Sequence, residues 1–336
     1  QGCILLIELE IWQNFLVSAY KKNIPVIIVN GRISNKSFMA YRTISHFSRA
    51  FRDSLTNEMN TYCARTEIDA QRFRDLGIPG KQIFVTGTMK YDNIPTHIDE
   101  NISRELADLF RIKNDDLVLI GGSTHDGEEE ILIRVFKRLN ETCPNLRLII
   151  APRHIERTGD VSRLIEKMGF IPVLKTQLEG YNYNWQNTKK EIILIDTVGD
   201  LGKIYSLANY VFVGKSLVPS GGQNMMEPAG LGKPVVFGPH TFNFKEEADL
   251  LLKNRAAKMV GTEDELFKTI EFFIKNPDAA KEMGLKAQKV VNEKRGATGK
   301  NMEIIGKILE RKCSGRLSAR TPACTYSGRY PFGTGG

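Results

Sequence analysis

No run of about eighteen apolar residues occurs anywhere in the 336-residue chain, so none of it reads as a membrane-spanning helix. Cysteine is scarce. The five (Cys3, Cys63, Cys143, Cys313, Cys324) include no Cys-x-x-Cys pair, which suits a reducing compartment and argues against a zinc site. A phosphate-binding P-loop is missing too: Gly214-Lys215-Ser216 ends like one, but Asn209 stands where its first glycine belongs. Internal repeats are absent. One region lacks a charge sign: from Arg32 through Lys36, Arg42, Arg49 and Arg52 no acid intervenes until Asp53.

What remains is an ordinary globular composition, 41% hydrophobic and 26% charged, long enough for two domains. The net charge of +8 is unevenly spread. Residues 1–90 hold twelve Lys/Arg against seven Asp/Glu, and from Cys313 onward three arginines meet no acid, which leaves the middle near neutral. The first part is therefore the one expected to meet an anionic partner. The chain opens at Gln1 directly in a strand-like run, Cys3–Ile7, and is expected to have lost its beginning, with any targeting signal or anchor.

Short Ile/Val/Leu runs without alternation mark parallel strands covered on both faces: 3–7, 26–30, 83–86, 117–121, 146–151, 192–196, 210–213 and 235–237. Helical patterns lie between them at 38–51, 67–76, 128–140, 160–168, 202–208 and 263–274. The fold class is α/β, with doubly wound parallel sheets. Two such sheets part in the polar stretch 91–114. The domains read as 1–95, 96–312 and a tail, 313–336, whose Ser/Gly/Arg/Thr composition predicts disorder and suits a non-native origin. The stretch 175–190 reads as a loop or paired edge strands.

The strongest chemical signal is Ser220-Gly-Gly-Gln-Asn-Met-Met-Glu227-Pro228, a glycine loop entering a short helix with one acid. Glycines let backbone N–H groups approach an anion, and a helix start adds positive potential. A phosphate on the loop with a sugar hydroxyl on Glu227 suits it; so does a plain tight turn with a solvated glutamate. Gly121-Gly-Ser-Thr-His-Asp-Gly-Glu-Glu129 also follows a strand and opens a helix, as an anion cradle or as a helix capped by Thr124 or Asp126. Arg153, just past a buried strand, can neutralise a phosphate or carboxylate, or stand in solvent. In Asp196-Thr-Val-Gly-Asp-Leu-Gly202 the backbone could read a nucleobase edge, or Asp196 or Thr197 could cap the next helix. Glu8 and Glu10, at alternate positions, would face one side of an extended chain as general bases or hydroxyl binders. The basic residues after Arg32 interleave with Phe38, Met39, Tyr41, Ile44, Phe47 and Phe51 as an amphipathic helix, for the core or for anionic lipid.

In order along residues 4–310, the motifs Glu8-Leu-Glu-Ile-Trp, Asn30-Gly-Arg-Ile-Ser, Gly87-Thr-Met-Lys-Tyr-Asp, Gly121-Gly-Ser-Thr-His-Asp-Gly-Glu-Glu, Ala151-Pro-Arg-His, Asp196-Thr-Val-Gly-Asp-Leu-Gly and Gly221-Gly-Gln-Asn-Met-Met-Glu-Pro make the chain resemble the Kdo transferases of lipopolysaccharide synthesis. These move 3-deoxy-D-manno-octulosonic acid (Kdo) from CMP-Kdo onto a lipid A precursor. The resemblance implies a GT-B architecture, two Rossmann-like domains facing a cleft, the first incomplete here. It implies donor binding by Gly221, Gly222, Asn224 and Glu227 (phosphate and ribose), Ser123, Thr124 and Arg153 (phosphate and sugar acid), and Val198 and Gly199 (cytosine). Glu8, Glu10, Arg32 and Lys90 fall on the acceptor side. Glu8 and Glu10 are candidate catalytic carboxylates, with the family's main base expected in the segment before the chain. Lys215 and Gln223 stand where the family carries Gly and His.

The function so implied is inverting, metal-independent glycosyl transfer without a cofactor. The implied partners are CMP-Kdo, lipid A precursor and the anionic cytoplasmic face of the bacterial inner membrane, and no nucleic acid. The alternatives are a GT-B enzyme using a UDP-sugar, or a catalytically dead fragment that binds nucleotide or anionic membrane.

Overall fold

The computed structural model describes residues 2–8, 12–179 and 190–317, the last seven of these by backbone alone. Its described residues group into two units, one from the chain start to Asp92 together with Gly296 onward, the other Asn93–Arg295.

The first unit begins β1 (Ile4–Ile7), α1 (Gln13–Lys21), β2 (Val26–Gly31), α2 (Asn35–Phe47), α3 (Arg49–Leu55), β3 (Asn60–Ala64), α4 (Glu67–Asp75) and β4 (Ile83–Val85). The strands form one parallel sheet in sequence order, β1-β2-β3-β4. Strands laid down in one direction by right-handed crossovers put every connecting helix on the same face. That face buries Val26, Ile28, Tyr62 and Ala64 against Leu16 and Ala19 of α1, Phe51 and Leu55 of α3, and Phe73 of α4. The single helix expected over 38–51 is two. Ser48 is extended (φ −121°, ψ 101°), and its hydroxyl accepts from the Phe51 N–H at 3.2 Å, ending α2 and capping α3.

The second unit runs α5 (Glu100–Leu109), β5 (Leu117–Thr124), α6 (Glu128–Asn140), β6 (Leu146–Pro152), α7 (Thr158–Lys167), β7 (Ile171–Leu174), α8 (Lys175–Glu179), β8 (Glu191–Leu194), α9 (Leu201–Ile204), β9 (Tyr210–Val213), α10 (Met226–Gly230), β10 (Val235–Phe237), α11 (Lys245–Lys253), β11 (Ala257–Met259), α12 (Glu263–Lys275) and α13 (Pro277–Lys294). Its seven parallel strands are ordered β11-β10-β9-β5-β6-β8-β7. Alternate residues (Leu119, Leu148, Ile150, Ile192, Leu194, Phe212, Val236) pack under α6, α7 and α12, which bring Leu132, Phe136, Ile165, Ile270 and Phe273. Three strands escape the sequence reading because their apolar runs are short or mixed: β3 (NTYCA), β7 (IPVL) and β11 (AKM). Where a loop or edge strands were expected over 175–190, α8 follows β7 directly and residues 180–189 lie outside the described residues.

The last helix, α14 (Ala297–Leu317), belongs with the first unit, not with the domain 96–312 to which the sequence assigned it. The reason is the sheet's other face. Ile27, Val29 and Cys63 alternate with the residues under α1–α4 and need their own cover. Ile304, Ile305, Ile308 and Leu309, one stripe of α14, supply it. Asp92 fixes the start of that helix by accepting from the N–H groups of Gly296 and Thr298, both at 2.6 Å. The predicted disordered tail is corrected in its first residues, since α14 continues through 313–317; the rest lies outside the described residues.

Candidate functional site: the carboxyl edge of the second sheet

In the second unit β5 lies between β6 and β9, so successive crossovers leave it in opposite directions. The carboxyl ends of β5 and β9 flank this switch point, where open α/β sheets hold ligands. The two strands stay in register to Gly122↔Val213, and the Gly214 N–H extends the ladder to the Gly122 carbonyl at 2.8 Å. No side chain fits at either glycine. A Cβ at Gly122 would lie 2.0 Å from the Tyr205 hydroxyl oxygen, and one at Gly214 2.5 Å from the Thr124 Cα.

A buried carboxylate locks the loops that follow. Glu128, the first residue of α6 and 0% exposed, accepts through Oε2 from the N–H groups of His125 (2.9 Å) and Lys215 (2.5 Å). Through Oε1 it accepts from Ser216 (2.8 Å) and Leu217 (2.9 Å). Four backbone donors on one carboxylate satisfy its desolvated charge without a cation. Next to it, buried Glu129 takes a two-pronged bond from Arg157 (2.6 and 3.3 Å), which also reaches Asp126 at 2.9 Å. Burial alone would lower the Arg157 pKa; the bonds and charges of Glu129 and Asp126 outweigh it and raise the pKa.

The residues named from sequence lie as follows. Ser123 has a positive φ of 54° on the irregular last turn of β5. Thr124 is completely buried, and its Oγ1 has no partner among the described residues. Neither Thr124 nor Asp126 caps α6. The cap position is Gly127 in the left-handed region, with no side-chain bond, and the Glu128 N–H is taken instead by the His125 carbonyl at 2.9 Å. Arg153 is exposed and donates its backbone N–H to the Thr124 carbonyl at 2.9 Å, which places it beside the β5 loop. Gly221 and Gly222 both have positive φ (97° and 79°), and a Cβ at Gly221 would strike Asn243 and the Phe242 ring. Asn224 caps the next turn through the Met226 N–H (3.1 Å) and donates to Glu227 at 2.9 Å, so that acid is held by a neighbour.

In the β8 loop neither Asp196 nor Thr197 caps the next helix, contrary to that reading. Asp196 accepts from the Thr176 N–H at 3.1 Å and from its hydroxyl, closing onto α8 instead of capping α9. Thr197 donates to Asp200 (2.5 Å), which pairs at 3.2 Å with the ammonium of Lys175, a lysine only 5% exposed. Burial would lower the Lys175 pKa, but Glu179 and Asp200 raise it. This frame leaves Val198 81% exposed, next to Gly199 at φ 92°.

In the first unit, Glu8, Arg32 and Lys90 follow β1, β2 and β4 at the carboxyl edge of that sheet. All three are exposed. The extended reading of Glu8 is corrected: its φ is 64°, so its direction does not alternate as in a strand, and Glu10 lies outside the described residues. The same edge carries Arg65, which the sequence reading passed over, and Asn30, whose Oδ1 accepts from the Met89 N–H at 3.2 Å. The amphipathic α2 does not bury its whole apolar side. Met39 and Phe47 are exposed and, with Arg42, His46 and Arg52, line a surface cavity of about 490 Å³. Among the described residues no group of three or more His, Cys, Asp or Glu could hold a metal ion, and no helix is long and apolar enough to cross a membrane.

Residues 2–93 match the family of 3-deoxy-D-manno-octulosonic-acid transferases (kdotransferases). The chain is 32% identical over 92% of its length to the 3-deoxy-D-manno-octulosonic acid transferase of Haemophilus influenzae, covering 70% of it. The curated relatives it matches are longer than it; it spans 40% to 70% of their lengths. Among solved structures, the C-terminal CMP-Kdo binding domain of WaaA from Acinetobacter baumannii aligns with TM-score 0.51 and 25% identity, over 57% of this chain and 96% of that domain. A UDP-GlcNAc 2-epimerase from Neisseria meningitidis shares the fold at 15% identity (TM-score 0.53, 87% of this chain, 75% of that one). Two parallel α/β units of this kind are the GT-B fold, and the family model and the Haemophilus influenzae relative make the chain a glycosyltransferase of that class. Within that class, the chain belongs to the Kdo transferase family.

Proposed function

We propose that the chain transfers Kdo from CMP-Kdo to a lipid A precursor, with inversion and without a metal ion. The observation that carries this reading is the charge arrangement at the switch point of the second sheet. Six carboxylates of its loops are engaged: Glu128 by four N–H groups, Glu129 and Asp126 by Arg157, Asp200 by Lys175, Asp196 by Thr176 and Glu227 by Asn224. Arg153 remains without an acidic partner among the described residues, beside the β5 loop, where Ser123 and Gly127 have positive φ. Such a place takes an anion, and the likeness to a CMP-Kdo binding domain gives the anion its class.

In the proposed chemistry a carboxylate removes the acceptor hydroxyl's proton, and the oxygen attacks the anomeric carbon of Kdo. CMP leaves with the bonding pair, its phosphate met by Arg153 and the Gly221–Asn224 loop. Val198 borders the base and Glu227 holds the ribose. A monophosphate leaving group met by fixed donors needs no divalent ion. Glu8 or Glu10 is the candidate carboxylate on this chain, with Arg32 and Lys90 toward the acceptor. The exposed Met39, Phe47, Arg42 and Arg52 suit the anionic cytoplasmic surface of the inner membrane, where the lipid acceptor resides.

Calorimetric titration with CMP, against UDP as control, tests the donor site. CMP should bind more tightly than UDP, and Arg153→Ala or Glu227→Ala should abolish it. No CMP binding by a folded sample would refute the reading. Loss of transfer in EDTA with recovery in magnesium would refute the metal-free step.

A further inference from the structure

Lys215 is a residue in a costly conformation at the centre of this site. It follows β9 directly and has φ 59°, the left-handed region that favours glycine and costs other residues about 1 kcal/mol. Its backbone is held from both sides. The N–H donates to Glu128, which also holds the β5 loop, and the carbonyl accepts from the Gly222 N–H at 2.6 Å, within the second glycine loop. Lys215 therefore joins the two loops that the donor reading assigns to the phosphate.

Its ammonium has no hydrogen bond or ion pair among the described residues, and the side chain is only partly exposed. The contrast with nearby cations is sharp: Arg157 and Lys175 are each paired with two carboxylates. The acids of the two loops that Lys215 joins, Asp126, Glu128, Glu129 and Glu227, are each already bonded. An unpaired cation, fixed by its backbone between two loops of positive-φ backbone at the price of a strained φ, is placed to meet an external anion.

We propose that Lys215 is a donor-binding, specificity-determining residue whose ammonium contacts the phosphate of the bound nucleotide. This rests on the donor-site reading above and adds to it a named cation on the β9 loop, opposite Arg153 on the β6 loop.

The test is a set of three substitutions, each measured for CMP affinity by calorimetry at two salt concentrations and for thermal stability. Lys215→Gly removes both charge and strain, so it should raise Tm by a few degrees while weakening CMP about tenfold. Lys215→Met keeps the strained backbone; it should weaken CMP similarly with Tm unchanged. Lys215→Arg should keep most of the affinity. The salt dependence of binding should shrink in the Gly and Met variants. A merely structural lysine would move stability and affinity in the same direction. Wild-type affinity in Lys215→Met overturns this assignment and leaves the donor site standing. Absence of CMP binding by the unaltered chain overturns the donor site and the assignment together.

Discussion

The Glu128 carboxylate accepts the Ser216 backbone N–H at 2.8 Å, across 88 positions of sequence. Through this bond and its three companions, the acid at the start of α6 sets the shape of the loop after β9. Replacing Glu128 by alanine leaves four N–H groups unpaired, and glutamine turns a donor toward two of them. Glu128→Ala should lower stability by about 3 kcal/mol, read from the urea midpoint. Glu128→Gln should lose CMP affinity while the chain remains folded.

Gly122 admits no Cβ because Tyr205 fills the space, its hydroxyl oxygen 2.0 Å and its Cζ 2.8 Å from where that atom would sit. Gly122→Ala should destabilise by about 1–3 kcal/mol. Tyr205→Phe in the same chain should recover part of the loss and not all, because the ring carbon remains in the way. Equal, additive losses in a double-mutant cycle would show that the two residues do not meet.

Docking of α14 on the first sheet depends on Asp92. Burial tends to raise its pKa, but the bonds from Thr298, Gly296 and Ala297 outweigh that and lower it. A carboxyl lowered in the folded state stabilises above its unfolded pKa, and the contribution is lost as pH falls through the folded value. Asp92→Asn should therefore reduce stability by about 1 kcal/mol at neutral pH and flatten its dependence below about pH 4. Hydrogen exchange of α14 should report the change first, since its helix start loses one of its two acceptor oxygens.

Burial lifts the Cys63 thiol from 9.0 to about 12. The folded chain holds that proton where the unfolded chain releases it. The resulting stabilisation is complete below about pH 9 and is lost as pH rises toward 12. At pH 8.5 iodoacetamide should leave Cys63 unmodified in the native chain and label it only as urea unfolds the first unit. Rapid labelling without unfolding would contradict its place on β3 beneath α14.

Lys233 carries the opposite sign. Its ammonium donates to the carbonyls of Ser206 (2.7 Å) and Ala208 (2.8 Å), and desolvation brings its pKa down from 10.5 to about 8. The folded chain then binds fewer protons than the unfolded one between those values, so this lysine makes stability rise with pH across that window. Lys233→Met should remove the rise, measured as urea midpoints between pH 7.5 and 10.

What the chain states locally could be read directly. Short apolar runs such as LVLI, LIIA and YVFV read as strands covered on two sides, and the glycines at 121, 122, 221 and 222 mark where backbone must come close. The order of these signals gave α/β units with anion-ready loops at strand ends, and Arg153, Asn224 and Glu227 were visible as residues beside them. Partners far apart in sequence carry no such local pattern. Nothing in the neighbourhood of Glu128 announces that it serves Lys215, Ser216 and Leu217; nothing near Arg157 points to Glu129; and Lys175 gives no sign of Asp200. The positive φ of Glu8 and Lys215 arises from how their loops close, not from residue type. Most of all, the periodicity of α14 shows an apolar stripe but not which sheet it covers. That choice was made by Ile27, Val29 and Cys63, the face that crossovers of one hand leave bare, and only the tertiary structure could match a stripe at residue 305 to a strand at residue 27.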